Sequence, residues 1–352
     1  GMHYHHIAGI KYRIRPLNYT EAITIRSELD GNHINAGVER YKALNQNHIY
    51  HKSEKTDGNR FYLEVVTTHS NITIALGAKH ILNGREDLED YLDCKCSKGK
   101  ACHEYTVKAE EGKDLVLEKL VSIYTSQDRK VITPIRHAAT AISRMKDYDG
   151  ELKLSSEGWR QIWEKIDIEV EGDRLAQKLL RLHMYHMVVT TSPHHVNLDA
   201  GIPPRGLHGE AYRGHIFWDE LYILPLYNIH NPEVVKSVLM YRYRRLDKAR
   251  DYAREHGYRG AMFPWQSGSD GREETQVIHL NPVSGEWGDD YSSLQRHVSL
   301  AIAYNIWNYY HVSGDQTFML DYGAEMLLEI SRFWECQQCS KVPGFGTFRH
   351  SQ

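Results

Sequence analysis

The hydrophobic residues of this 352-residue chain recur with one period in its first part and with another in its second half. Apolar and polar side chains alternate along much of residues 10–82, for example in residues 10–15 and 61–66. A period of two is typical of β-strands with one buried face. After Asp173, apolar side chains recur every three or four positions, as they do along one face of an α-helix. The chain is therefore predicted to fold as an antiparallel β part followed by a helical part.

The β part is predicted to be half of a sandwich. Turn-forming sequences at residues 30–32 and 57–59 separate its strands. Residues 83–113 are polar, and no strand is predicted within them. Apolar positions in residues 115–124 indicate a last strand that passes into a helical connector, which residues 147–150 are predicted to break.

The helical part is predicted to begin at Asp173, because an aspartate side chain readily caps the first turn of a helix. Further helices are predicted from Pro232 through Leu246, over residues 294–312 and over residues 318–334, and the helix over 294–312 is predicted to close at Gly314. Long loops rich in glycine, proline and tryptophan separate them, and such loops usually carry function. The predicted domains are a partial β-sandwich in residues 1–118, a helical linker in 119–168 and the first part of a helical barrel in 169–352.

The composition excludes several classes of function. The chain carries 43 Lys and Arg against 46 Asp and Glu, a net charge of −3. This balance argues against a dedicated binder of nucleic acid or anionic membranes, which needs a basic face. The basic segment 241–250 has helical spacing that favours packing and ion pairing over nucleic-acid binding. No apolar run approaches the roughly 18–20 residues of a membrane span. We therefore expect no nucleic-acid or membrane partner.

The cysteines and histidines give only weak signs of a metal site. His183 and His186 lie three positions apart on a predicted helix, and Cys336 and Cys339 form a single pair. Structural zinc sites use four ligands, and neither pair has two further ligands in pattern. The five cysteines fit reduced thiols in a cytoplasmic protein. No metal and no cofactor is predicted, and the location is predicted to be cytoplasmic.

Three consecutive loops between predicted helices each combine a tryptophan with two or more carboxylates. These loops occupy residues 205–220, 263–274 and 286–297. The candidate site residues, in chain order, are Glu210, Arg213, Trp218, Asp219, Trp265, Arg272, Glu273, Glu286, Asp289 and Asp290.

This combination matches the chemistry of a sugar. One face of a pyranose ring is rich in C–H groups and stacks on an aromatic plane, while its hydroxyls need charged or polar partners. Cleavage of a glycosidic bond also needs a carboxylic acid with a raised pKa, and in an inverting enzyme the nucleophile attacks from the opposite face. The three loops together favour a saccharide site over the alternative, structural loops with buried tryptophans.

The run from Gly206 to Glu220 resembles the sugar-binding motif of glycoside hydrolase family 65, which includes maltose, trehalose and kojibiose phosphorylases and related α-glucoside hydrolases. The resemblance extends through residues 263–274 and 295–305, and into the β part at residues 15–19. It implies an N-terminal β-sandwich, a helical linker and an (α/α)6-barrel. It also implies an inverting attack on a terminal α-glucosyl unit, by phosphate or by water.

The resemblance implies roles for particular residues. Trp218 and Asp219 match the family residues that grip the glucose in the cleaved subsite. The family carries its general acid in the third loop, usually as a Glu in a Glu-Trp-Glu stretch. Aligned by its distance to the next motif, the acid falls on Asp290. Aligned on its tryptophan, the stretch begins at Glu286, and Asp289 is a further alternative.

The remaining candidates, Glu210, Arg213, Trp265, Arg272 and Glu273, are expected to line or brace the sugar subsites. The implied partner is an α-linked glucose disaccharide or oligosaccharide, with inorganic phosphate as co-substrate if the reaction is phosphorolysis. A homodimer is a further expectation.

Family chains extend further than this one, so the sequence is expected to correspond to an incomplete barrel, clipped at both ends. The residues that separate phosphorolysis from hydrolysis are expected to lie beyond residue 352, and the departure in the acid loop slightly favours hydrolysis. The alternative function, from a different class, is a non-catalytic saccharide-binding or vestigial protein.

Overall fold

The structure is a computed structural model, and it describes residues 1–35, 37, 47–88, 92–206 and 212–340. The chain divides after Asp167 into two compact units. The N-terminal unit holds two sheets and two helices, and the C-terminal unit holds the helices that follow. Within these described ranges, no helix is long and apolar enough to cross a lipid bilayer.

Two antiparallel sheets form the β part of the N-terminal unit. Its strands are β1 (Ile7–Ile14), β2 (Glu21–Asp30), β3 (Ile49–Asp57), β4 (Arg60–Thr67), β5 (Thr73–Leu82), β6 (Leu92–Ser97), β7 (Lys100–Ala109) and β8 (Leu115–Thr125). The larger sheet has the order β1-β8-β5-β4-β3 and the smaller one the order β2-β7-β6. Buried side chains of both sheets meet between them, among them Leu29, Phe61, Leu63 and Ala101. The predicted sandwich is confirmed, and β8 continues past residue 118, where the predicted β domain ends.

Strands β6 and β7 lie within residues 83–113, so the expectation that this stretch holds no strand is wrong. From His103 to Ala109 in β7, buried positions alternate with more exposed ones. The buried set includes His103 and Tyr105. Because these buried residues carry polar groups, the sequence does not show the alternation of apolar and polar residues that marks a strand. Burial of polar groups is possible here because they bond to one another.

Two helices complete the N-terminal unit. They are α1 (Pro134–Arg144) and α2 (Tyr148–Ile166). Helix α1 contacts β5 and β8 and buries Ala138 and Ile142. The side chain of Asp147 accepts a hydrogen bond from the backbone N–H of Gly150 and caps α2. Asp147 therefore starts the second helix of the predicted connector instead of breaking it.

The C-terminal unit is mainly helical. Its helices are α3 (Arg174–Thr190), α4 (Glu220–His230), α5 (Pro232–Tyr243), α6 (Leu246–Glu255), α7 (Val298–Ser313), α8 (Gln316–Phe318) and α9 (Ala324–Ser340), and its strands are β9 (Ile278–Leu280) and β10 (Trp287–Asp289). Helix α4 contacts α5 and α7, and α7 also contacts α9. Fully buried residues such as Leu224, Val238, Ile302 and Ile330 form their common core. The predicted fold class, β-sheets followed by linker helices and paired helices, is confirmed.

The sequence predicts a helix boundary correctly where that boundary depends on a single residue. Asp173 caps α3 by accepting two backbone N–H groups of the first turn, and Gly314, with φ 66°, ends α7. The single helix predicted from Pro232 through Leu246 is instead two helices. The chain leaves the helical conformation at Arg245, whose guanidinium bonds outside the helix.

The sequence analysis does not predict helix α4. It is apolar around most of its surface and contains Pro225, so it lacks the one-sided pattern that marks an amphipathic helix.

A buried network of polar side chains connects the two sheets of the N-terminal unit. The hydroxyl of Tyr105 lies 2.6 Å from Nδ1 of His80 and 3.1 Å from Nδ1 of His103. Nε2 of His80 lies 2.9 Å from the hydroxyl of Ser27. Burial lowers the pKa of His80 strongly and the pKa of His103 to about 4, and the positive charge of Lys119 adds to both shifts. Both imidazoles are therefore neutral at neutral pH.

We expect this network to make the N-terminal unit sensitive to acid. Between about pH 6.5 and pH 4, an unfolded histidine binds a proton that folded His103 does not, so stability falls as the pH falls. The thermal unfolding midpoint of a His103→Asn variant should fall less steeply over this range. The matched control is His69→Asn, an exposed histidine. Equal slopes for the two variants would contradict the prediction.

Candidate saccharide-binding site

Two of the three tryptophan-containing loops meet where α4 and α7 begin. The Trp218 ring lies 4.5 Å from the imidazole of His297, and the Trp265 ring lies 5.3 Å from the same imidazole. Beside them is an open cavity of about 450 Å³, lined by Trp218, Leu221, Tyr222, His297, Leu300, Ala301 and Tyr304. Aromatic walls of this kind suit the C–H-rich face of a sugar ring.

Backbone pairing fixes the first loop against the second. Ile216 and Ser267 exchange two N–H···O hydrogen bonds of 2.9 Å. The ring of Phe217 also packs edge-on against Trp265, with 5.3 Å between the ring centroids. The main chain thus sets the spacing of the two loops before any ligand binds.

A fully buried ion pair anchors the segment around Trp218. The guanidinium of Arg242 donates from Nε and Nη2 to Oε2 of Glu220, at 3.1 and 2.9 Å. Nη2 also donates to the carbonyl oxygen of Phe217 at 2.6 Å, and Oε1 of Glu220 accepts the backbone N–H of Ile202 at 3.2 Å. Burial raises the pKa of Glu220, and the charge of Arg242 opposes that shift. These bonds fix the backbone on both sides of Trp218.

Asp219 places a free carboxylate at the start of α4. Within the described part of the chain, its own backbone N–H is the only hydrogen-bond donor to this carboxylate, and it does not cap the helix. Burial raises the pKa of Asp219. A carboxylate without a protein partner, next to the Trp218 indole in sequence, is available to accept hydrogen bonds from sugar hydroxyls.

Glu273 braces the second loop. Its carboxylate accepts the backbone N–H groups of Trp265, Gln266 and Thr275, at 2.8, 3.2 and 3.1 Å. It also accepts the hydroxyl of Thr275 at 2.6 Å and that of Tyr252 at 3.4 Å. Of the two expected roles, lining and bracing, this geometry fits bracing, because the carboxylate is occupied by the protein's own donors.

A second contact between the loops joins Gln266 to His215. Nε2 of Gln266 donates to Nδ1 of His215 at 2.8 Å, so the imidazole proton is on Nε2. Burial and the charge of Arg213 lower the pKa of His215 to about 4, which keeps this ring neutral. His215, Gln266 and His297 were not among the predicted site residues. Only the three-dimensional contacts identify them, since single histidines are common in this sequence.

Arg213 lies in a strained turn. Tyr212, Arg213 and Gly214 have φ angles of 54°, 56° and 67°, in the left-handed region that is unfavourable for residues with a side chain. The guanidinium of Arg213 donates to the carbonyl oxygen of Glu274 at 2.6 Å. Arg213 therefore links the first loop to the second, and the predicted Glu210 lies outside the described residues.

Arg272 is not placed in the cavity by this structure. Its side chain is exposed and donates to the carboxylate of Asp270 at 2.6 Å.

The segment that leads into the second loop is also fixed to α9. The backbone N–H of Ala261 bonds to the carbonyl oxygen of Glu329 at 2.9 Å. A Cβ atom at Gly260 would overlap that carbonyl, and Gly260 has φ 76°. Only glycine fits both the conformation and the space at this position.

The third loop forms a hairpin of β9 and β10, and the sequence does not predict these strands. Trp287 is 42% exposed, and among the described residues no ring contact joins it to Trp218 or Trp265. Glu286 and Asp289 are also exposed. The structure thus brings together two of the three indoles that sequence reasoning places in one cavity.

Asp290, the first candidate for the general acid, is mostly buried behind this hairpin. Its carboxylate accepts the backbone N–H of Ser292 at 2.9 Å, and Nε2 of Gln276 lies 3.5 Å away. Burial raises the pKa of Asp290, but the hydrogen bonds from Ser292 and Gln276 and the nearby His279 outweigh it, so the pKa is lowered. A general acid needs a raised pKa, so these contacts must change before Asp290 can serve.

The N-terminal unit is a β-sandwich with two helices, and the C-terminal unit consists of packed helices with an aromatic-lined cavity. These features are those expected of the family that the sequence motifs indicate. Two family models match the chain: the glycosyl hydrolase family 65 N-terminal domain over residues 1–162, and the family 65 central catalytic domain over residues 181–342. The chain belongs to glycosyl hydrolase family 65, as its motifs indicate.

Curated relatives agree with this family. An uncharacterized glycosyl hydrolase of Mycobacterium tuberculosis is 39% identical over 331 residues, which cover 93% of this chain and 25% of the relative. A trehalose 6-phosphate phosphorylase of Lactococcus lactis is 34% identical over 320 residues, which cover 89% of this chain and 40% of the relative. The chain thus spans less than half the length of these relatives.

A solved structure provisionally named as a kojibiose phosphorylase from human microbiome matches with a TM-score of 0.75. It is 24% identical, and the match covers 93% of this chain and 40% of that one. This likeness shows a shared fold.

We expect the ion pair between Glu220 and Arg242 to dominate the stability of the C-terminal unit. A Glu220→Gln variant leaves a buried guanidinium without its counter-charge, which should cost about 3–5 kcal/mol of unfolding free energy in urea. The matched control is Asp247→Asn, which weakens an ion pair between the largely exposed Asp247 and Arg250 and should cost less than about 0.5 kcal/mol. Similar losses in the two variants would rule out this role.

Proposed function

We propose that the C-terminal unit binds the terminal α-glucosyl unit of an α-linked glucose disaccharide, as part of an enzyme that cleaves this bond with inversion. The observation that carries the proposal is the convergence of Trp218 and Trp265 on His297, together with the half-buried carboxylate of Asp219, the next residue in the chain after Trp218. Family membership supports the same substrate class, since relatives are named for trehalose 6-phosphate and kojibiose.

Each residue contributes a specific interaction in this proposal. The Trp218 indole packs against the C–H face of the glucose ring, and Asp219 accepts hydrogen bonds from its hydroxyls. His215 is neutral and carries its proton on Nε2, so it acts as a hydrogen-bond donor. Glu273 is a positioning residue, because it holds the backbone of Trp265 and Gln266.

In the proposed reaction, phosphate is the nucleophile. A phosphate oxygen attacks the anomeric carbon from the face opposite the leaving group, the bond to the glycosidic oxygen breaks, and a carboxylic acid protonates that oxygen. The phosphorylase names of the relatives support phosphate over water, against the slight preference for hydrolysis drawn from the acid loop. Asp290 remains the first candidate for the acid, followed by Glu286 and Asp289.

The binding part of the proposal is tested by titration calorimetry with glucose and trehalose. Trp218→Ala should weaken glucose binding by about tenfold or more, because a stacking wall is lost. Asp219→Asn should weaken it as well, and wild-type binding should decline as the pH falls through the raised pKa of Asp219. The matched control is Trp287→Ala, which removes an exposed indole and should leave the affinity unchanged. Equal effects of Trp218→Ala and Trp287→Ala would contradict the proposed site.

The acid is tested by comparing two substrates with different leaving groups. If Asp290 is the acid, Asp290→Asn should slow phosphorolysis of the disaccharide by about 10²–10⁴-fold. It should slow reaction of α-glucosyl fluoride far less, since fluoride leaves without a proton. Glu286→Gln and Asp289→Asn serve as comparisons, and the variant that shows this split identifies the acid.

The same assay separates the classes of function. Glucose released only with phosphate present supports phosphorolysis, and release in its absence would indicate hydrolysis. Sugar binding without turnover in either condition would overturn catalysis by this chain and favour the alternative, a saccharide-binding protein.

A further inference from the structure

A second cavity, of about 540 Å³, lies entirely within the N-terminal unit. The N-terminal segment, β8, α1 and α2 all contribute to its lining. We call it the α1 cavity, because Arg136, His137, Thr140 and Arg144 of that helix form one side. Its volume is within the range of about 300–1,000 Å³ typical of small-molecule sites.

The α1 cavity carries an excess of positive charge. Arg136 and Arg144 lie two turns apart on α1, and neither guanidinium forms an ion pair or side-chain hydrogen bond with a described residue. The carboxylate lining the cavity is that of Glu151, and Nε2 of His3 already occupies it at 3.0 Å. Two unpaired guanidinium groups outnumber the one carboxylate of the lining, and this excess favours an anionic ligand.

The opposite side of the cavity is aromatic. The hydroxyls of Tyr4 and Tyr124 lie 2.6 Å apart, so one donates to the other and a single hydroxyl proton remains to bond a ligand. Burial raises the pKa of Tyr124, against the opposing charge of Arg144, so the Tyr124 hydroxyl stays protonated. The imidazole of His6 stacks on Tyr124 with 3.8 Å between the ring centroids and holds its ring in place. A sugar ring can pack against such a surface.

From these observations we propose that the α1 cavity binds a phosphorylated monosaccharide. The phosphate group carries a charge of about −1.5 to −2 at pH 7 and three acceptor oxygens, enough to bond both Arg136 and Arg144. The sugar ring lies against Tyr4 and Tyr124. The α1 cavity shares no lining residue with the cavity at Trp218. Binding of a phosphorylated monosaccharide there does not require the C-terminal unit to be catalytic.

The experiment is titration calorimetry on the full chain carrying Trp218→Ala, which weakens the other sugar site. Glucose 6-phosphate should bind, inorganic phosphate should bind more weakly and compete with it, and glucose alone should not bind. Arg144→Ala and Arg136→Ala should each weaken glucose 6-phosphate binding by about tenfold or more. Arg144→Lys, which keeps the charge but loses the planar donor pair, should fall between wild type and Arg144→Ala.

The matched control is Lys108→Ala, which removes one exposed positive charge on β7, in the other sheet. It should leave binding unchanged. Thermal unfolding of every variant shows that the N-terminal unit remains folded. The proposal is overturned if glucose 6-phosphate does not bind, if glucose binds equally well, or if Arg144→Ala and Lys108→Ala have the same affinity. Loss of glucose binding at Trp218 leaves these outcomes unaffected.

Discussion

The buried ion pair of Glu220 and Arg242 is the interaction on which the arrangement around Trp218 depends. Removing two charges from water is costly, and their mutual attraction and their further hydrogen bonds offset that cost. Here the partners come from three separate segments: the backbone at Ile202, the backbone at Phe217 and helix α5. None of these segments can shift alone without leaving a buried charge unsatisfied. The position of the Trp218 indole is therefore specified by polar chemistry beneath it, although the surface that it presents is apolar.

Sequence reasoning works best in this chain where the physical cause is local. The cap at Asp173 and the helix end at Gly314 each depend on one residue and its immediate neighbours, and both predictions are confirmed. It fails where the cause is distant. Strand β7 is concealed by His103 and Tyr105, whose burial is possible because the hydroxyl of Tyr105 bonds both to His103 and to His80 on another strand. The long family motifs overcome this limit for the fold, because they match whole segments.

In the candidate site, too, the sequence predicts some features and only the structure shows the others. The motif places Trp218 and Trp265 correctly in one region, and the structure supplies their common neighbour, His297. Composition alone cannot separate the third loop from the first two, since each has a tryptophan and carboxylates. The difference lies in burial: Trp287 stands on an exposed hairpin, whereas Trp218 and Trp265 pack on a helical core. The role of a carboxylate also depends on its contacts. Glu273 braces the second loop because backbone N–H groups donate to its carboxylate.

The two loops beside the aromatic cavity differ in how firmly their backbones are held. At Gly260, three residues before the second loop, the backbone lies so close to α9 that moving it would require moving a whole helix. The first loop holds two residues with side chains, Tyr212 and Arg213, in a left-handed backbone that costs of order 1–3 kcal/mol each. Hydrogen bonds such as that from Arg213 to the carbonyl oxygen of Glu274 hold the turn in this strained conformation. The two loops beside the cavity are therefore held differently: the second is anchored through Gly260 to a whole helix, whereas the first contains a strained turn at Arg213.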